Sequence, residues 1–194
     1  MRDVSSQLRP GSRHRTPVRA ARTRGMTLIE LLVTLAVAAI ILSIGLPSFR
    51  DLMQDIRATT VANQLMASIQ HTRSEAVRRG MPVTLCASDD GATCTNVAPT
   101  DSADFSQGWI VVSGYPGDPG SELLRVHQPD VGDIDIPENL SNGHSLTYSP
   151  TGETRAPGGA FIAGNLQICH DGRDRRVIIS KTGRPRVAKQ ACGD

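Results

Sequence analysis

The sequence predicts an α+β fold: one long N-terminal helix, membrane-spanning in its first half, packed on an antiparallel β-sheet. Three observations carry this prediction. Residues 26–46 are apolar except for Glu30 and are closed by Pro47. Helical periodicity then continues to about residue 79. Beyond Gly80 and Pro82 the pattern changes to short β-rich runs separated by turn dipeptides. A helix followed by strands is the element order of an α+β domain.

Residues 1–25 form a basic leader. Seven arginines (2, 9, 13, 15, 19, 22 and 24) stand against one acid, Asp3, giving a net charge of +6. Residues 26–46 can cross a hydrocarbon core of about 30 Å as a helix. Glu30 is the one ionisable side chain in that stretch. A charge in hydrocarbon costs about 2.5–3.5 kcal/mol at mid-helix and less near an end, so it needs a partner or a role. The arginine excess keeps the N-terminus cytoplasmic and places everything after Pro47 beyond the inner membrane. Two plainer readings compete. A secretory signal peptide would need a shorter apolar region and an Ala-x-Ala site, and none precedes Pro47. A simple single-pass anchor would leave Glu30 near the interface without a function.

Residues 47–80 continue the helix in amphipathic form. Phe49, Leu52, Met53, Ile56, Val61, Leu65, Met66, Ile69, Ala76 and Val77 fall mostly on one stripe. Gly80 and Pro82 are stop signals. A kink or loosening is expected near Gly45-Leu46-Pro47. Residues 81–194 are β-rich. Candidate strands are Val83–Ala87, Trp109–Ser113, Leu123–His127, Ser145–Ser149, Leu166–Cys169 and Arg176–Ser180. Turn chemistry divides them, including Asp90-Gly91, Asn142-Gly143 and Thr151-Gly152. Residues 89–107 and 128–143 read as acidic loops.

Charge is distributed unevenly. From Met26 onward there are fourteen Lys and Arg against eighteen Asp and Glu, a net −4. Seven of those basic residues lie between Arg173 and Lys189: Arg173, Arg175, Arg176, Lys181, Arg184, Arg186 and Lys189. Such a concentration in an acidic chain points to an anionic partner, although a charge run is more commonly a solvated face. All four cysteines follow the apolar segment, which suits an oxidising periplasm. Three pairings are possible. Cys86 with Cys94 and Cys169 with Cys192 are favoured, each pair being close in sequence and flanked by turn residues. A zinc site is disfavoured, since no Cys-x-x-Cys occurs.

Gly25 followed by Met26-Thr27-Leu28-Ile29-Glu30-Leu31-Leu32, with Pro47 beyond, resembles the N-terminus of type IV pilins and type II secretion pseudopilins. The resemblance implies cleavage after Gly25 by a prepilin peptidase, N-methylation of Met26 and a role for Glu30 in assembly. Met26 departs from the family, which usually has phenylalanine there. Later residues narrow the resemblance to the FimT/GspH branch: Arg73-Ser74-Glu75-Ala76, Pro82-Val83-Thr84-Leu85-Cys86, Gly108-Trp109-Ile110-Val111 and Thr182-Gly183-Arg184-Pro185-Arg186. That branch implies a pilin-like fold and a minor subunit, assembled with other minor pilins into a pilus or pseudopilus. It also implies either a FimT-like role in DNA uptake or a GspH-like role in secretion without DNA binding. FimT-like proteins that bind DNA use a Gly-Arg-x-Arg element, which Gly183, Arg184 and Arg186 match.

No enzymatic constellation, metal cluster or cofactor motif is legible. His71, His127, His144 and His170 are scattered, and nothing is spaced as a nucleophile and its base. The candidate site is the basic tail. On an extended strand Arg184 and Arg186 share one side, about 6–7 Å apart, close to the spacing of successive phosphates. Pro185 favours extended backbone at a sheet edge. With no aromatic residue after Phe161, stacking on bases is unsupported. Double-stranded DNA bound through its backbone is the expected partner, with weak sequence preference.

Overall fold

The computed structural model describes residues 25–95, 104–129, 132–141 and 144–192, and only the backbone of Leu46 and Pro47. The leader arginines lie outside the described residues. The chain divides into two compact units, Met1–Ile44 and Gly45–Asp194.

Helix α1 spans Leu28–Arg79. It starts at a capping sequence, Thr27-Leu28-Ile29-Glu30, in which the Glu30 amide donates to Thr27 Oγ1 at 3.3 Å. In the first unit its apolar side chains are exposed, including Leu28, Leu35, Ile40 and Ile44. This stretch is long and apolar enough to cross a membrane. Gly45 and Pro47 lie within α1.

In the second unit the buried positions of α1 are Ala58, Val61, Ala62, Leu65, Ser68, Ile69, Thr72 and Ala76. They recur at three- and four-residue intervals, as one helix face requires. Arg78 and Arg79 complement the negative end of the helix dipole in its last turn. Gly80 then terminates it at φ +66°, donating to Ala76 O at 3.0 Å.

Eight strands follow: β1 Val83–Ala87, β2 Trp109–Ser113, β3 Leu123–His127, β4 Glu138–Leu140, β5 Ser145–Tyr148, β6 Gly164–Ile168, β7 Arg175–Ile179 and β8 Pro185–Ala188. They form two antiparallel sheets of four, ordered β3-β2-β1-β5 and β4-β6-β7-β8. The antiparallel β-structure expected from the sequence is divided between two sheets. β4 falls inside a segment that the sequence reads as loop, and β8 occupies one that it reads only as an extended edge. β4 pairs closely with β6 because Gly164 has no Cβ: one placed there would meet Asn139 O at 2.0 Å.

Val83, Leu85, Trp109, Val111, Leu146, Tyr148, Leu166, Val177 and Ile179 meet the buried face of α1 in one core. Trp109 Nε1 donates to Ser68 Oγ at 2.8 Å, so the indole enters without an orphaned donor. On the opposite face of the first sheet, Cys86, Ile110 and Val112 form a second buried cluster with Cys94 beside it. Disulfides join Cys86 to Cys94 and Cys169 to Cys192.

Candidate nucleic-acid interface

Strand parity sorts the basic residues of β7. Consecutive side chains on a strand point to opposite faces. Val177 and Ile179 lie in the core, so Arg175 shares their side, facing α1. Its side chain is 7% exposed and Nη2 reaches Asp55 Oδ1 at 2.5 Å, with Thr59 Oγ1 at 3.3 Å. Nη1 donates to Asp174 O at 3.0 Å. The guanidinium hydrogen bond holds the Asp55 carboxyl below its usual range. Arg173 adds a second tie to α1, with Nη2 3.2 Å from Asp51 Oδ1. Asp51 and Asp55, one helical turn apart, thus receive β7.

Arg176 takes the opposite face but is also buried, because the chain end folds over it and its Nη2 donates to Ala191 O at 2.9 Å. Asp174 secures that chain end. Its Oδ1 accepts the His170 amide and its Oδ2 the Cys192 amide, both at 3.0 Å, beside the Cys169–Cys192 bond. Three of the seven clustered cations are therefore structural. Arg175 and Arg176 are corrected from candidate DNA contacts to buried anchors, and Arg173 is half-buried and ion-paired. Sequence alone could not separate them, since one-residue spacing decides which face each occupies.

The remaining four, Lys181, Arg184, Arg186 and Lys189, are exposed, and none is ion-paired among the described residues. They flank or lie on the β7–β8 hairpin. Its turn closes with Gly183 N donating to Ser180 O at 2.8 Å and Ser180 N to Arg184 O at 3.2 Å. Lys181 and Thr182 keep negative φ while Gly183 is at +74°, which makes a type I turn followed by a left-handed residue. Pro185 opens β8 opposite Ile179, and Arg186 pairs with Ile178 on the face turned away from α1. β8 is an edge strand, where proline is tolerated.

Residues that the sequence reading passed over hold this turn from behind. Tyr148 Oη donates to Gly183 O at 2.9 Å, and Thr154 Oγ1 lies 3.2 Å from Lys181 O. Burial pushes the Tyr148 hydroxyl above its ordinary range, so it remains a donor. Gly183 itself is buried. A Cβ on it would stand 2.6 Å from both Gly152 O and Tyr148 Cε1. The glycine is thus required for packing as well as for its backbone angle. The available signal was Tyr148, an aromatic residue in a strand that otherwise reads Ser-Leu-Thr.

At the other end of the chain, Gly25 and Met26 are exposed ahead of the Thr27 cap, and Glu30 sits exposed in the first turn of α1.

Comparison with known proteins gives two family matches. Residues 61–183 match "Type II transport protein GspH" and residues 20–46 match "Prokaryotic N-terminal methylation motif". The chain is similar to the pilin-like protein PilA1 of Thermus thermophilus, with 29% identity, covering 84% of this chain and 97% of that one. It is likewise 29% identical to prepilin peptidase-dependent protein A of Clostridium perfringens, covering 64% of this chain and 83% of that one. Among solved structures, the type IV minor pilin FimU of Pseudomonas aeruginosa aligns over 67% of this chain and 91% of its own at 22% identity, with a TM-score of 0.49. With the GspH match spanning more than half of its length and the methylation motif over its apolar helix, the chain belongs to the GspH family and is a minor pilin or pseudopilin of a type IV pilus or type II secretion system.

Proposed function

We propose that this protein is a FimT-like minor pilin that binds double-stranded DNA through the β7–β8 hairpin. The observation that carries this reading is the group of exposed cations Lys181, Arg184 and Arg186, without ion-pair partners among the described residues, on or beside a turn fastened to the core through Tyr148, with Lys189 beyond the other end of β8. From Met26 onward the chain is net −4, so attraction of DNA must be local. Arginine suits phosphate because its planar fork of donors is rigid. In this reading the prepilin peptidase cuts after Gly25, Met26 is methylated and Glu30 serves assembly. The N-terminus is cytoplasmic, and residues after Pro47 lie beyond the inner membrane.

The test uses the chain from Met26 onward, without the seven leader arginines, in neutral detergent micelles and duplexes of unrelated sequence. Binding should be similar across sequences, with a log–log salt slope no steeper than about −4, given four available cations. Changing Arg184 and Arg186 to glutamine should weaken binding to every duplex and reduce the slope by about two. Salt-insensitive binding, or an unchanged double variant, would refute the reading.

The second reading is a GspH-like secretion pseudopilin without DNA binding. It is favoured by the match over residues 61–183 and by the commitment of Arg173, Arg175 and Arg176 to internal contacts. Absence of DNA binding by the unmodified chain selects it.

A further inference from the structure

The part of α1 that opens the second unit carries an apolar face that the core does not use. Phe49, Leu52, Met53 and Ile56 recur at three- and four-residue intervals and so form one stripe. They are between 41% and 61% exposed. Phe49 precedes the buried Ala58 by nine residues, which is two and a half turns at about 3.6 residues each, so the stripe points away from the core. The apolar character stops at Ile56. Further along the same side stand Thr60, Asn63, Gln70 and Ser74, all exposed. The stripe is thus confined to the end of the unit that follows the membrane-crossing stretch.

Positive charge gathers at the same end. Asp51 and Asp55 are taken by Arg173 and Arg175. Arg50 and Arg57 are left exposed on one flank of the stripe, without ion-pair partners among the described residues. Arg173, Asp174, Arg175 and Lys189 line a cleft with Asp55. Five cations therefore stand here against three acids, a net +2, in a chain that is net −4 from Met26 onward.

We propose that residues 49–57 lie along the surface of the membrane that anchors the chain. The four apolar side chains enter the headgroup zone, and Arg50 and Arg57 engage the phosphates of anionic lipids. An amphipathic helix with arginines beside its apolar side binds a bilayer in this way. Length fixes its orientation. From Phe49 to Ile56 a helix rises about 10 Å, whereas the headgroup zone on each side of a bilayer is about 5–7 Å deep. The segment must then run closer to the membrane plane than to its normal, with the core on the side away from lipid. The bend falls at Gly45 and Pro47, which hold a straight helix poorly. Two observations favour lipid over protein as the occupant: the stripe continues directly from the membrane-crossing stretch, and the charge beside it complements anionic headgroups. The inference is independent of the DNA reading.

The test places a nitroxide label on a cysteine introduced at Leu52 or, for comparison, at Ser74 on the same side of α1. The chain from Met26 onward is reconstituted in vesicles of phosphatidylcholine and phosphatidylglycerol. The label of Leu52→Cys should be relaxed by oxygen and shielded from a water-soluble nickel chelate, and that of Ser74→Cys should show the reverse. Equal access of nickel to both overturns the proposal. Shielding at Leu52→Cys that disappears on dilution into excess lipid assigns the stripe to a second copy of the chain and also overturns it. Adding Arg50→Gln and Arg57→Gln should lower the ratio of shielded to exposed label by about fivefold for each arginine. An unchanged ratio overturns the assignment of lipid phosphates to these arginines.

Discussion

Replacing Gly183 with alanine tests the packing of the hairpin turn quantitatively. Two separate penalties apply. Gly183 has φ +74°, and an L-residue held in left-handed backbone costs about 1–2 kcal/mol. The new methyl group would also approach Gly152 O and Tyr148 Cε1 to 2.6 Å. Overpacking of this kind costs about 1–3 kcal/mol, and the carbonyl, being backbone, yields little. The total is about 2–5 kcal/mol. Gly80 provides the internal standard. Its φ is +66°, and nothing lies within 4 Å of a Cβ there. Gly80→Ala therefore carries only the first penalty, partly offset by the reduced freedom of the unfolded chain, for a net loss of about 1 kcal/mol. At about 2–4 °C per kcal/mol for a unit of this size, Gly80→Ala should lower Tm by about 2–4 °C and Gly183→Ala by roughly 10 °C. The assay is thermal unfolding of the full chain in detergent, followed by far-ultraviolet circular dichroism. Equal shifts for the two variants would refute the argument that Gly183 is packed against the seam between the sheets.

Membrane-extracted protein should show an intact mass lacking residues 1–25 and a methylated Met26; a retained leader would remove the basis for processing at Gly25. Glu30→Ala should leave the second unit folded and reduce co-purification with partner pilins, whereas normal co-purification would count against a role in assembly. Hydrogen bonds from Arg78 and Arg79 lower the Glu75 carboxyl to about 2. Its stabilising contribution is therefore complete above about pH 4.5 and lost as pH falls toward 2, and Glu75→Gln should flatten that part of the pH–stability profile. Removing the Cys169–Cys192 bond with a double serine variant should cost about 3.5 kcal/mol for its 23-residue separation, measured by chemical denaturation; a loss below 1 kcal/mol would show that Asp174 alone retains the chain end.

The first three strands were legible to the residue because each is a β-branched or aliphatic run bounded by glycine, proline or aspartate turns. β4 was not, since Glu138-Asn139-Leu140 is short and polar and exists only because Gly164 admits the neighbouring backbone. The division into two sheets was equally hidden, because strand pairing over long separations leaves no local pattern. At the candidate site, the sequence located Arg184 and Arg186 and anticipated the edge position that Pro185 imposes. It could not separate Lys181 and Lys189 from Arg175 and Arg176. Composition counts charges, whereas burial depends on the face a strand turns inward and on where the chain end comes to rest.

The opposite facing of Arg175 and Arg176 bears on how this part of the protein can change over generations. A single-residue deletion between His170 and Asp174 would turn β7 over. Arg176 would then point at Asp55, Val177 and Ile179 would leave the core for solvent, and Ile178 would enter it. Insertions and deletions here are thus barred in odd numbers, whatever their composition. The exposed loop at Pro157-Gly158-Gly159-Ala160 carries no such constraint. Relatives of this chain should accumulate length variation at that loop, while any change in the spacing from Cys169 to Arg175 should be even-numbered.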